Sequence, residues 1–211
     1  MDLDANYLVQ NASELTALYN PPRERSVRKQ MDHLDEYSRA FIAASPLLII
    51  GTQGRPPDGV ADTSPRGDVP GFVRVVDDRT VLIPDRPGNN RLDTLQNIVA
   101  NPVVGLLFLV PGLPETFRVN GEAAISHDPA LLESFAVQGK LPRTILVVKV
   151  KEAFIHCSRA LVRADFWNPA KFAQPGAVPS FGTILAAHTG GFVDAKTVDE
   201  ENKTRTLQTL Y

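Results

Sequence analysis

Two hydrophobic periods alternate along the chain. Short apolar runs bounded by Gly, Pro, Asn or Asp read as strands over residues 46–52, 72–76, 80–84, 103–110, 115–126 and 144–157, with residues 59–63 as a hairpin partner for the first. The run over 103–110 is almost continuously apolar and reads as an interior strand. Asp77-Asp78-Arg79 marks a tight hairpin turn, and Asn120-Gly121 marks a bulge or turn inside the 115–126 run. Helical spacing appears elsewhere. A short helix follows Ser13, and Pro21-Pro22 ends it. Val27, Met31, Leu34, Phe41 and Ile42 share one face of a helix over residues 26–44, and Leu92, Leu95, Ile98 and Val99 share one over 91–99. Asp128-Pro129 caps a helix bearing Leu131, Leu132 and Phe135. Further short helices are predicted over 158–165 and 181–187, with a polar, helical tail over 194–211.

Helices interrupt the strands only occasionally, and the strands lie close together in sequence. That order predicts a mainly β fold, a small antiparallel barrel of about six strands with flanking helices, rather than a βαβ sheet. No Gly-x-Gly-x-x-Gly and no Gly-Lys-Ser/Thr loop occurs, which removes the main support for a Rossmann or P-loop reading.

Charge and composition narrow the class. The net charge of −2 gives no global basic field for nucleic acid or a membrane surface. Aromatic residues make up 7% of the chain and form no stripe among basic positions, which argues against single-strand nucleic-acid binding. The single cysteine, Cys157, excludes an internal disulfide and fits a reducing compartment. The start, Met1-Asp2-Leu3-Asp4, lacks the pattern of a signal peptide, and no apolar run is long enough to span a bilayer. The expectation is a soluble, cytoplasmic protein.

Two polar loops carry the candidate chemistry. One reads Asp62-Thr63-Ser64-Pro65-Arg66-Gly67-Asp68; the other reads Ile83-Pro84-Asp85-Arg86-Pro87-Gly88-Asn89-Asn90-Arg91. Arginine offers a charged fork of donors and glycine exposes backbone N–H groups, so such loops suit a phosphate. Arg66, Arg86 and Arg91 are the phosphate candidates. Asn89 and Asn90 can donate amides or cap a helix that begins near Asn90, whose positive end would add to the site. Asp68 and Asp85 suit a loop brace or a general base. Arg118, mid-strand beside Glu115 and Glu122, suits a structural ion pair or a contact to a ligand's ring, and Arg74 a solvated position. His156-Cys157, followed by Arg159 and Arg163, can bind an anion or serve only in packing. Arg23, Arg25, Arg28 and Lys29 form a basic cluster that reads as a solvated helix face. His33, His127 and His188 form no metal-binding pattern.

The run from Thr80 through Arg91 to Asn101-Pro102 and Phe108, then Glu115-Thr116-Phe117-Arg118-Val119-Asn120-Gly121, resembles the flavin-binding core of the pyridoxamine 5′-phosphate oxidase family. With Ser64-Pro65-Arg66-Gly67-Asp68 it is similar to the oxidase-related FMN-binding proteins, over roughly residues 40–165. The resemblance implies a six-stranded antiparallel FMN-binding split barrel, and a homodimer with flavin at the subunit interface. It implies that Asp62, Thr63 and Ser64 run along the flavin and that Arg66 faces its phosphate. Ile83, Pro84 and Asp85 would sit by the ring, the loop from Arg86 to Arg91 would hold the phosphate, and Thr116 would reach the ring's polar edge. Three parts follow: a helical extension over 1–45, the flavin-binding barrel over 46–167, and a C-terminal extension over 168–211 packing on the barrel or the dimer interface.

The chain departs from the oxidase itself. Gly88-Asn89-Asn90-Arg91 stands where the oxidase has a Ser-Arg-Lys phosphate loop, Ala61 falls near its early-strand arginine, and Thr116 replaces a ring-edge Gln. Trp167 is a poor match for the oxidase's C-terminal Trp and Arg motif and suits a core or interface residue. The implied function is therefore an FMN-dependent oxidoreductase acting on an unknown small-molecule substrate or electron donor; oxidation of pyridoxamine phosphate is not carried over from the resemblance. A non-catalytic flavin carrier or sensor is the alternative. A β-barrel interaction module without flavin is a third reading from a different class.

Overall fold

The structure, a computed structural model, describes residues 2–54 and 59–209, with side chains described only as far as residue 204. Met1 of the N-terminal reading and the last two residues of the expected helical tail lie outside the described residues.

Seven strands form one antiparallel sheet among the described residues: β1 (Leu47–Thr52), β2 (Asp62–Gly67), β3 (Arg74–Asp77), β4 (Thr80–Pro84), β5 (Val103–Leu109), β6 (Thr116–Ser126) and β7 (Ile145–His156). Their order is β2-β1-β5-β6-β7-β4-β3, with β2 and β3 at the two edges, so the sheet is not closed by hydrogen bonds. The antiparallel β fold with flanking helices agrees with the sequence. The sheet has seven strands rather than about six; the expected runs over 72–76 and 59–63 both pair, the latter displaced to Asp62–Gly67, so the first polar loop is the edge strand β2.

The helices are α1 (Ala12–Ala17), α2 (Glu24–Arg28), α3 (Glu36–Ala44), α4 (Asp93–Ala100), α5 (Pro129–Ser134), α6 (Arg159–Arg163), α7 (Phe181–His188) and α8 (Ala195–Thr209). Single-turn helices cover Ala5–Tyr7 and Pro169–Lys171.

Burial follows the strand period. β5 alternates along its length, with Val104, Leu106 and Phe108 inward. These join Leu48 and Ile50 of β1, Val81 and Ile83 of β4, Phe117 and Val119 of β6 and Leu146 and Val148 of β7 in one cluster. A smaller cluster lies on the other face of the sheet, where Leu82 and Ile145 meet Phe135 just after α5. β4 is therefore buried on both faces and reads as a continuous apolar run.

The sheet is strongly curled. Pro65, Arg66 and Gly67 of β2, the first strand in the order, line the same cavity as Pro84 and Asp85 at the end of β4, the sixth. In a flat sheet they would be about 24 Å apart at the usual inter-strand spacing. Polar side chains hold α4 inside this curl. The Thr94 hydroxyl donates to Asp62 Oδ2 at 2.9 Å, and the Asn97 amide donates to Thr52 Oγ1 at 3.1 Å.

Asn120-Gly121 is a bulge: the β6–β7 register shifts there. A Cβ on Gly121 would lie 2.2 Å from the Lys149 carbonyl oxygen, so only glycine fits. Asp128 caps α5 as expected, accepting from the Leu131 N–H at 3.1 Å.

Two helix expectations change. The helix expected over 26–44 is split into α2 and α3 because Asp35 starts a new helix, accepting from both the backbone N–H and the hydroxyl of Ser38. Between them Met31 exchanges two backbone hydrogen bonds with Ala153 of β7, at 3.0 and 2.8 Å. The helix expected to begin near Asn90 begins at Asp93. Asn90 adopts a left-handed conformation, φ 58°, and the Asn89 side chain accepts from the Arg91 N–H, forming a turn before the helix. At the C-terminus, α7 and α8 pack mainly on each other, and the Asp199 carboxylate accepts from the Gly182 N–H at 2.8 Å.

Candidate functional site

Three elements converge on a cavity of about 390 Å³: the end of β2, the loop from Pro84 to Arg91, and the start of α4. The sequence puts them there through register. β4 pairs with β7 so that Pro84 faces Ile145, which sets Arg143 beside Asp85 at the cavity wall. Arg143 completes the set, and its Nη1 donates to Asn90 Oδ1 at 3.2 Å.

Of the expected site residues, Arg66, Pro84, Asp85, Arg86, Asn89, Asn90 and Arg91 line this cavity. Four arginines, Arg66, Arg86, Arg91 and Arg143, thus surround one carboxylate, Asp85. Burial pushes the Asp85 carboxyl up from its ordinary value, while Arg66 and Arg143 pull it back down. α4 offers its N-terminus to the same space, and Leu92 at its cap position provides no capping side chain. Gly88 leaves the loop open: a Cβ there would meet nothing within 4 Å.

The arginines are not equivalent. Arg86 is nearly buried, with its side chain 14% exposed; Nε donates to Asp68 Oδ2 at 2.8 Å and Nη1 to the Phe135 carbonyl at 2.8 Å. It ties the loop after β4 to the loop after β2 and to the end of α5. Asp68 is its brace partner. Arg91 is 77% exposed and pairs with Asp93 across two residues of loop. Among the described residues, Arg66 donates only to its neighbour's carbonyl, Pro65 O, at 2.9 Å.

The remaining expected residues lie outside the cavity. Ile83 is 1% exposed and packs in the core, not beside it. Asp62 and Ser64 turn toward α4: Ser64 Oγ lies 3.2 Å from Thr94 Oγ1 and 3.4 Å from Asp62 Oδ2, while Thr63 faces solvent. They extend from the cavity along β2, whose outer edge has no strand neighbour among the described residues. Thr116 pairs with His156 at the other end of β6 and does not meet the arginines within one chain.

Other expected contacts resolve differently. Arg118 pairs with Glu152 at 2.9 Å and stacks over Phe154 at 4.3 Å, rather than with Glu115 or Glu122. The β6–β7 register explains this, setting Arg118 opposite Phe154 and Asn120 opposite Glu152. Arg74 donates to the Ser134 carbonyl at 2.6 Å and lies over the Phe135 ring, a role that its strand position did not signal. Trp167 is half-buried and donates to the Leu113 carbonyl at 2.8 Å. Arg143 was missed because its meaning depends on a pairing between strands sixty residues apart; the only signal was its place immediately before the longest strand.

The two loop arginines should separate cleanly in stability. Arg86→Ala removes the mostly buried bonds to Asp68 and to the Phe135 carbonyl and should cost about 1.5–3 kcal/mol. Arg91→Ala removes an exposed pair and should cost about 0–1 kcal/mol. Urea unfolding of both variants checks this, and equal losses would show that Arg86 is not the brace its contacts describe.

Comparison with known proteins follows the same part of the chain. The profile of the pyridoxamine 5′-phosphate oxidase family matches residues 34–157, more than half of the chain. No curated protein matches it. Similar solved structures include HupZ of Group A Streptococcus, at 17% identity over 58% of this chain and 93% of that one, TM-score 0.46. They also include a putative pyridoxamine 5′-phosphate oxidase of Lactobacillus delbrueckii (16%, 59% and 95%, TM-score 0.45) and an FAD binding protein of Mycobacterium smegmatis (19%, 60% and 97%, TM-score 0.40). The matched segment runs from the start of α3 to the end of β7 and contains every cavity-lining residue described above, so the chain belongs to the pyridoxamine 5′-phosphate oxidase family.

Proposed function

We propose that the cavity binds the phosphate end of FMN and that the protein is an FMN-dependent oxidoreductase. The observation that carries this reading is the convergence of Arg66, Arg91 and Arg143 on one open loop at an uncapped helix N-terminus. The donor set suits a phosphate dianion: guanidinium forks, backbone N–H groups around Gly88, and the positive end of α4. The cavity volume of about 390 Å³ also falls within the usual range of small-molecule sites.

When bound, the flavin supplies the centre that accepts hydride or electrons. The chain's residues bind and orient it. Arg66, Arg91 and Arg143 neutralise the phosphate, while Asn89 and Asn90 fix the loop that presents them. Arg86 and Asp68 hold that loop against β2. The outer edge of β2 from Asp62 to Ser64 offers backbone donors and acceptors to the ring, since no strand occupies it. Asp85, its carboxyl raised by burial, stands at the wall where a proton can be held.

We further propose that a second copy of the chain completes the site. An apolar patch of Leu92, Leu95, Val99, Ala100 and Ile125 adjoins the cavity, sharing Leu92 and Leu95 with it. Val99 is 79% exposed and Val103, close by in sequence, is 56% exposed. Exposed apolar surface of this kind marks an interaction site. A partner seated there can bring its own Thr116 end toward the ring, which one chain does not do.

Two outcomes test these readings. Arg66→Ala with Arg143→Ala should weaken FMN binding at least about tenfold while leaving riboflavin binding nearly unchanged, because each charge-assisted bond to phosphate contributes roughly 1.5–3 kcal/mol. Equal losses for both ligands remove these arginines from a phosphate site. Sedimentation equilibrium should give a dimer for the native chain and a monomer for Val99→Asp. A monomeric native chain overturns the dimer.

A further inference from the structure

A second cavity, of about 530 Å³, lies at the other end of β7. Its walls come from two stretches far apart in sequence: the basic segment of Arg23, Arg25 and Lys29, and the strand end of His156, Cys157 and Arg159. The contacts of residues 29–31 seat the first stretch on the second. Met31 pairs with Ala153 through two backbone hydrogen bonds, and Lys29 Nζ donates to the Ile155 carbonyl at 2.6 Å. The end of the basic segment, at Lys29, is therefore fixed against the strand end, and the solvent-exposed Arg23 and Arg25 line the cavity beside it.

The cavity is strongly electropositive. It gathers three arginines and a lysine against one carboxylate, Glu115. Arg23, Arg25 and Arg159 form no ion pair within 4.0 Å among the described residues, although Glu24 on the same helix is taken by Arg28. Like charges held together without counter-charges repel one another, and a multiply charged anion relieves that repulsion. Burial, Arg118 and Lys29 lower the pKa of His156, so at neutral pH its ring is a neutral donor or acceptor at the wall.

We infer that this cavity, formed by Arg23, Arg25, Lys29 and Arg159 around His156, is a second anion site for a phosphorylated small molecule. Within one chain it is separate from the arginine cavity described above. β7 has twelve residues and runs roughly 35 Å along its length, with Arg143 just before it and Cys157 just after it. One phosphate group cannot touch both ends. Guanidinium forks favour phosphate geometry, and several positive charges against one negative suit a ligand carrying more than one charge. A phosphorylated substrate or a phosphorylated electron donor both meet that description. The site does not depend on the flavin reading.

Cys157 supplies the test, because it is the only cysteine in the chain and is exposed at this cavity. Its alkylation rate by iodoacetamide is measured in the flavin-free chain with increasing pyrophosphate, against sodium chloride of equal ionic strength. Pyrophosphate should slow alkylation saturably, and chloride should not. In Arg25→Gln with Arg159→Gln, both exposed positions, the half-protecting concentration should rise at least about tenfold. In Arg66→Ala with Arg143→Ala, protection should persist, which separates this site from the flavin cavity. Protection matched by chloride, or unchanged in the Arg25/Arg159 variant, overturns the proposal, as does protection lost in the Arg66/Arg143 variant.

Discussion

The contact between Arg86 and Asp68 holds the molecule's functional end together. One residue follows β4 and the other follows β2, strands that lie five places apart in the sheet. Their side chains are 14% and 7% exposed, so the pair is largely sheltered from water. A buried pair of this kind adds little net stability over a hydrophobic replacement. Its consequence here is geometric. The guanidinium also reaches the Phe135 carbonyl, and Arg74 covers the Phe135 ring, so the curl of the sheet, the phosphate-type loop and α5 are fixed to one another. The cavity exists because this curl exists.

Local signals in the sequence gave most of the framework. The strand over 80–84 appears with its expected bounds, Asp128 caps α5, and Asn120-Gly121 forms a bulge because a Cβ would strike the Lys149 carbonyl. What local pattern could not give was register and long-range pairing. Asp35 looked like one more polar residue on a helix until its bonds to Ser38 made it a cap. Arg86 looked like a phosphate ligand because its partner, Asp68, lies eighteen residues back. Arg143 entered the site through the pairing of β4 with β7, and Ile83 left it because the same strand turns that side chain into the core. The basic residues near 25 and the His156-Cys157 pair were each visible alone, but only the Met31–Ala153 bridge joins them.

A chain of net charge −2 thus places eight of its 22 Lys and Arg residues at two cavities, one at each end of β7. The first lies within the segment that defines the family. The second is built partly from the N-terminal extension, since Arg23, Arg25 and Lys29 precede the family match that begins at residue 34. The extension thus brings charge to the end of a family strand without touching the loop after β4. Among the described residues, no group of three or more His, Cys, Asp or Glu side chains is placed to hold a metal ion, and no helix is long and apolar enough to cross a membrane.

The central claim is that the arginine cavity holds a flavin. The most direct measurement is the visible absorption spectrum of the purified chain, taken as isolated and again after incubation with excess FMN and removal of free ligand. The account predicts that oxidised-flavin absorption stays with the protein in about equimolar amount to the chain. A spectrum without flavin after both treatments would contradict it, leaving Arg66, Arg91 and Arg143 as charges around a cavity for some other ligand.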